Sequence, residues 1–275
     1  MIVKAISILF SDPIVFFKKV RMALFPVPKS PVVKTNNGIL FEYDFNFDQA
    51  IKLMYFGLYE PRTVKTINKF LKKDDIFIDI GANIGYISSI ALGMVGKTGQ
   101  VHSFEPVPRY FNKLKKLSEM NKDYRMTVNQ CAAGEAKGST KIAVTNLPNI
   151  GWNTIVPNFM PKETVGEFVD VPICRLDEYA AANSLNEISL IKIDTEGYEF
   201  PVMKGLDNYL KSASRKPSIL CEIAPGAYPL LGYSLKQFSD YMKSHSYTAT
   251  LVDIPGKPVE ISELEGTTNV LFRVL

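Results

Sequence analysis

Histidine is nearly absent from this chain: His102 and His245 are the two among 275 residues. A histidine-based triad or a multi-histidine metal site therefore has little material to work with. His102 falls inside a predicted strand and His245 ends a predicted helix, so both read as structural. The three cysteines, Cys131, Cys174 and Cys221, have no metal-ligand spacing. All three fall in predicted strands and read as small core residues of a reducing compartment. Charge of one sign is not in excess: the net charge is +4, and no basic face stands out, which argues against a nucleic-acid partner. No apolar run is uninterrupted enough to span a bilayer, and the start of the chain makes a poor signal peptide, with one early lysine and no small-residue cleavage site. Internal repeats and low-complexity tracts are also missing. The expectation is a cytoplasmic protein, with contact to the inner face of the membrane left open.

What is present is ordinary globular material, 46% apolar and 22% charged, enough for one large domain with an appendage. The chain is organised around Asp75-Ile-Phe-Ile-Asp-Ile-Gly-Ala-Asn-Ile-Gly-Tyr-Ile-Ser88. Ile76, Phe77, Ile78 and Ile80 form a short apolar run suited to a strand buried on both faces. Gly81 to Gly85 breaks it, and Ile84, Ile87, Ala91, Met94 and Val95 then recur at helical spacing. Gly81 allows close approach of backbone to a ligand, Gly85 lets the helix start pack tightly on the strand, and the helix N-terminus offers free N–H groups. Glu105 ends the next predicted strand, 24 residues after Gly81, close to the spacing of about 20 used to hold ribose hydroxyls. A dinucleotide fingerprint would need two more glycines where Asn83 and Tyr86 stand. S-adenosylmethionine has no pyrophosphate and needs no such approach. Asp79 is placed to reach that cofactor's ammonium, directly or through water.

Residues 1–35 are apolar and basic. Ile2 to Phe10 and Ile14 to Phe17 are interrupted by Asp12-Pro13, where one predicted helix ends and another starts. Two readings stay open for residues 1–30: a helical appendage packed on the domain or on a second copy in a homo-oligomer, or a basic amphipathic segment on a membrane surface. A hairpin arm is predicted from Ile39 to Phe47 and helices over 48–72, split at Pro61. Glu60-Pro61-Arg62 reads as a helix cap or as a lid over the cofactor. These divide the chain into an appendage, 1–59, and a main domain, 60–275. Met126 to Ala132 is the third predicted strand, and Asn129 to Ala132 should lie beside the adenine. Gly138–Thr145 and Glu167–Arg175 alternate like an added ribbon. Between them, Trp152 and Asn153 sit in a proline-bounded loop, flanked by Pro148, Pro157 and Pro161, that suits an acceptor-site wall or simple anchoring.

Leu190-Ile-Lys-Ile-Asp194 is a further strand, followed by the carboxylate-rich turn Thr195-Glu-Gly-Tyr-Glu199 and a helix. Ser218 to Ile223 is another strand and carries Glu222. The last two strands have no long helix between them, so the final one should be antiparallel. Strands alternating with helices give an open α/β sheet with ligands at the carboxyl ends of the strands, where Asp79, Glu105, Asp194 and Glu222 all fall. Methyl transfer to oxygen needs in-line positioning and a destination for the hydroxyl proton. Without a useful histidine, that is a carboxylate base or a carboxylate-held divalent cation. Asp194 is the first candidate, followed by Glu196, Glu199 and Glu222. Lys192 is read as facing away from Asp194. The bland alternative makes Glu199 a helix-dipole residue and Glu196 a solvated one.

Asp79-Ile-Gly-Ala-Asn-Ile-Gly85, Ser103-Phe-Glu-Pro106, Asn129, Leu176-Asp177, Ile219-Leu-Cys-Glu-Ile223 and above all Ile191-Lys-Ile-Asp-Thr-Glu-Gly-Tyr-Glu199 resemble the FkbM family of S-adenosylmethionine-dependent methyltransferases. The resemblance covers roughly residues 60–255. It implies a class I methyltransferase Rossmann-like sheet of seven strands, the last antiparallel, and O-methylation of a small molecule or glycan. It places cofactor contacts at Asp79, Gly81, Asn83 and Glu105 and acceptor chemistry near Asp194 and Glu196. Position alone, at the glycine turn, the strand ends and the proline-bounded loop, adds Gly85, Pro106 and Asn129 to the cofactor side and Trp152, Asn153 and Glu222 to the acceptor side. Competing readings are an NAD(P)-dependent oxidoreductase, disfavoured by the missing glycines, and a noncatalytic membrane-associated protein that keeps the fold. A nucleic-acid amine methyltransferase lacks its Asn/Asp-Pro-Pro-Tyr/Phe motif here.

Overall fold

The computed structural model describes residues 13–46, 50–147, 151–254 and 256–274. The expectations for residues 1–12, Phe47 and Pro148 lie outside the described residues. Seven strands form the main sheet: β3 (Ile76–Ile80), β4 (Gln100–Phe104), β5 (Arg125–Asn129), β10 (Ile188–Ile193), β11 (Ser218–Ile223), β12 (Thr248–Leu251) and β13 (Thr268–Arg273). Their order is β12-β13-β11-β10-β3-β4-β5, parallel except for β13, which runs antiparallel to both its neighbours. This is the expected class I methyltransferase sheet with its last strand reversed.

The apolar run at β3 is explained by its place at the centre of this sheet, between β4 and β10. Alternation sends Phe77 into the core with Val101, Leu190 and Leu220, and Ile78 and Ile80 into the one with Ile191, Ile193 and Ile219. The chain turns outward in one direction from β3 and in the other from β10. The topological switch point lies between them, where open α/β sheets open a crevice.

The predicted ribbon forms as β7 (Gly138–Thr145) paired antiparallel with β9 (Val165–Cys174), extended by β6 (Ala132–Ala133) and β8 (Asn153–Thr154). The third strand is shorter than predicted. It stops at Asn129, and the chain leaves the sheet edge so that Ala132 and Ala133 pair with Ile173 and Cys174. Cys131 therefore stands between strands, half-buried, with its Sγ 3.3 Å from that of Cys174.

The N-terminal hairpin starts earlier than predicted, with β1 (Val32–Lys34) paired to β2 (Leu40–Glu42). The overlooked signal is Asn37-Gly38, a hairpin-turn dipeptide, with Gly38 at φ 84°. Ile39 and Phe41 are buried in the same core as Leu114 and Leu117 of the helix Pro108–Met120. Asn121 clamps the hairpin through both backbone groups of Leu40, at 2.9 and 2.8 Å. Helices Ala50–Tyr55 and Pro61–Phe70 follow, split at Pro61 as expected. Among the described residues no helix is long and apolar enough to cross a membrane.

Candidate active site

A cavity with about 850 Å³ of empty space, its open mouth included, lies at the carboxyl ends of β3, β4 and β10. The glycine turn forms its floor. Gly81 and Ala82 donate their N–H groups to Phe104 O at 3.0 and 2.9 Å, tying the turn to the end of β4. A Cβ on Gly81 would sit 1.8 Å from the Asp194 carbonyl oxygen. The glycine is thus required by the crossing of two loops at the switch point as well as by any ligand. Gly85 is not on the cavity wall. A Cβ there would meet Leu117 and Leu114 at 2.7 and 2.8 Å, so it serves the packing of the helix Pro108–Met120 rather than of β3.

One end of the cavity is formed by Glu105, Pro106, Cys131, Ala132 and Ala133. Glu105 is buried, and its two oxygens accept from Val107 N at 2.8 Å and Asn83 N at 2.9 Å. Burial pushes its carboxyl up to about 7, against the pull of those two N–H groups. Each oxygen keeps a free lone pair, so the group can still take two hydroxyl donors. Asn83 adopts φ 52°, and its side chain caps Ile84 N at 2.7 Å. Asn129 is not on the wall. Its amide donates to Ser103 O and Tyr179 O–H, each at 3.2 Å, and so supports β4 from behind.

The other end is crowded with charge. Lys192 is buried, with its Nζ 3.1 Å from Asp194 and 3.7 Å from Asp79. The expectation that Lys192 faces away from Asp194 is overturned: side chains two apart on a strand share a face. Lys192 is also the cross-strand partner of Asp79 in the β10–β3 register, which brings the two together. Burial alone would lower the Lys192 pKa, but Asp194, Asp79 and Glu60 together raise it. Asp79, expected to reach a cofactor, is fully buried and absent from the cavity wall. Its Oδ2 accepts from Ser88 Oγ at 2.6 Å, and its Oδ1 has no hydrogen-bond partner.

Asp194, Glu196 and Glu222 each offer an oxygen within 4.8 Å of the others, a spacing at which three carboxylates could hold one divalent cation. Burial, then Asp194, pushes Glu196 up to about 9; Asp194, then burial, pushes Glu222 up to about 8. Glu222 stands behind the wall and accepts from Asn269 at 3.2 Å. Glu199 is fully buried and braces the turn. It accepts from Gly197 N at 2.7 Å, Thr195 Oγ1 at 3.0 Å and Tyr228 O–H at 3.0 Å, which takes it out of the catalytic candidates. Of the ribbon loop, Asn153 and Gly151 line the cavity, whereas Trp152 does not.

Tyr59 and Glu60 also line the cavity and were missing from the sequence-derived site. Only the lid reading of Glu60-Pro61-Arg62 hinted at them. Nothing local in the sequence says that this helix start folds over the switch point. Among the described wall residues the acids are Glu60, Glu105, Asp194 and Glu196, and Lys192 is the single cation.

The profile of the family described as Methyltransferase FkbM domain matches residues 79–248, more than half of the chain. Among curated proteins, the chain is 25% identical to the hexuronic acid methyltransferase AglP of Haloferax volcanii, over 62% of this chain and 64% of that protein. It is 27% identical to the 31-O-demethyl-FK506 methyltransferase FkbM of Streptomyces tacrolimicus, over 50% of this chain and 62% of that protein. In each case the match spans less than two thirds of the relative's length. A crystal structure of methyltransferase FkbM from Methylobacillus flagellatus superposes with a TM-score of 0.44 at 14% identity, over 98% of this chain and 60% of that one.

Proposed function

The chain belongs to the FkbM methyltransferase family, and from that premise we propose that it transfers a methyl group from S-adenosylmethionine to a hydroxyl of a small molecule or glycan. The observation that carries the choice of cofactor is the make-up of the cavity wall, four acids against Lys192 among the described residues. Even where burial leaves Glu196 and part of Glu105 protonated, such a wall offers no cluster of cations to a pyrophosphate. It therefore favours a sulfonium cofactor over a nicotinamide dinucleotide. Bound there, S-adenosylmethionine supplies an electrophilic methyl group.

The protein's residues supply the rest. Glu105 accepts the ribose hydroxyls while its backbone partners hold it in place. Pro106, Cys131 and Ala132 flank the adenine side. Gly151, from the loop between β7 and β8, and Asn153, at the start of β8, form the acceptor side. Holding the acceptor oxygen in line is the main catalytic contribution, on the order of 7–11 kcal/mol at best. The hydroxyl proton passes to a carboxylate of the Asp194–Glu196 pair. Raised pKa values make Glu196 and Glu222 stronger bases when ionised and leave them largely protonated near neutrality. Asp194, Glu196 and Glu222 could together hold a divalent cation, which would supply Lewis-acid activation of the acceptor hydroxyl instead. The substrates named for the two relatives, a hexuronic acid and an FK506 hydroxyl, support a sugar or small-molecule acceptor.

Calorimetric titration with S-adenosylhomocysteine, NADH and NADPH tests the reading. Micromolar binding of S-adenosylhomocysteine alone is expected, weakened by about 1–3 kcal/mol in Glu105→Ala. Binding of a nicotinamide, or of none of the three, overturns it.

A further inference from the structure

We propose that Glu60 forms a subsite for the primary ammonium group of the cofactor's amino-acid tail, the role for which Asp79 is too deeply sealed. The inference rests on the methyltransferase reading above. Asp79 lies beneath the cavity floor, fully buried and held between Ser88 and Lys192. A ligand ammonium reaching it would have to displace the Lys192 ammonium. Glu60 lines the cavity directly, beside the same charged end.

The carboxylate of Glu60 has no competing duty that explains it. It caps the helix Pro61–Phe70 in position only, since it makes no side-chain bond to the first N–H groups of that helix. Its hydrogen-bond partner is the side chain of Thr63. Lys192 makes its ion pairs with Asp79 and Asp194, and among the described residues no lysine or arginine stands within 4 Å of Glu60. Glu60 is therefore an acid on the wall of a buried cleft without a cation of its own. Its backbone is left-handed, φ 41° and ψ 53°, a conformation that costs an L-residue with a Cβ and that glycine or asparagine would fill more easily. The residue is pinned there by Pro61 after it and by the Val64 N–H on its carbonyl at 3.0 Å. Strain of this kind at a ligand wall points to a functional placement. Burial and Asp194 raise the Glu60 pKa, and an arriving ammonium lowers it again; the carboxylate so ionised selects between the two ends of an amino-acid tail, accepting the ammonium and repelling the carboxylate. Glu60 lies outside the matched family region, residues 79–248, so the contact comes from this chain's own N-terminal segment.

Two ligands that differ in the amino-acid tail separate this role from a general effect on the cavity. S-adenosylhomocysteine carries the ammonium, and 5′-methylthioadenosine lacks the whole tail. In the full chain, Glu60→Gln is expected to weaken S-adenosylhomocysteine roughly ten- to a hundredfold, the range for losing a hydrogen bond to a charged group. Affinity for 5′-methylthioadenosine should stay within about twofold of wild type on the same principle. Glu60→Asn, better suited to left-handed backbone, should give the same split and guards against a folding defect. An unchanged S-adenosylhomocysteine affinity, or equal losses for both ligands, overturns the subsite while leaving the methyltransferase reading in place. Failure of the wild-type protein to bind either ligand overturns both.

Discussion

Lys192→Met removes the single cation, among the described residues, of a cluster that includes a fully buried carboxylate, and it should cost stability in a pH-dependent way. At an effective dielectric of about 20, charges 3.1 Å and 3.7 Å apart attract by about 5 and 4 kcal/mol respectively. Part of that attraction already offsets the desolvation of the lysine, and methionine fills the space of its stem. The net loss on breaking such a buried pair is about 3–5 kcal/mol. For a domain of this size that lowers the melting temperature by about 6–20 °C. The sign of the pH dependence follows from Asp79, whose folded pKa is raised above its ordinary value by burial and held down by Lys192. A raised carboxyl binds more protons in the folded than in the unfolded state, so stability falls as pH rises through the window between its two pKa values. Glu60, Glu196 and Glu222 are also raised and also held down by Lys192, with Glu222 at about 8 and Glu196 at about 9. Without the lysine all four rise further. The gap between wild type and variant should therefore widen from about pH 6 to about pH 9. Scanning calorimetry or circular dichroism at those two pH values measures it. Adding Asp79→Asn should recover part of the loss, because Ser88 can still donate to the amide oxygen. A gap that is equal at both pH values, or below about 1 kcal/mol, refutes the placement of Lys192 as the counter-charge of this cluster.

Asp194→Asn should lower turnover while leaving S-adenosylhomocysteine binding nearly intact, and should move the ascending limb of the pH–rate profile to lower pH. Asp194 is the largest cause of the raised Glu222 pKa and the second largest for Glu196. A wild-type profile in the variant removes Asp194 from the mechanism, and full loss of wild-type turnover in EDTA favours the metal route over the carboxylate base. A different surface is tested by vesicle sedimentation. The helix Pro13–Leu24 carries no acid in its sequence, buries none of its residues and exposes Ile14, Phe17 and Leu24 beside Lys19 and Arg21. The full chain is expected to pellet with phosphatidylcholine–phosphatidylglycerol vesicles and Phe17→Glu/Leu24→Glu to stay in the supernatant. Equal behaviour of the two, or a wild-type dimer in light scattering that the substitutions dissociate, refutes the membrane contact.

The sheet was legible in the sequence because burial writes itself there directly. Ile76 to Ile80, Leu190 to Ile193 and Ser218 to Ile223 are apolar because both faces of a central parallel strand are covered. The reversed final strand was readable from the short connection before it. The acidic strand ends were readable because a parallel sheet places all such ends on one edge, whatever its strand order. Strand order was not readable, and with it went the pairing of Lys192 with Asp79, since register joins residues 113 positions apart only once β10 lies beside β3. The same limit applies to Gly81, whose missing Cβ makes room for a carbonyl from the far half of the chain, and to Gly85, whose neighbours are leucines of the next helix. Glu60 is the furthest case. Local sequence marks it as a residue before a proline, and only the fold of the N-terminal segment over the switch point turns it into a wall of the site. Local patterns fixed which groups stand at strand ends. Long-range packing decided which of them are sealed beneath the floor and which face a ligand, because burial of a charge depends on every element that closes over it.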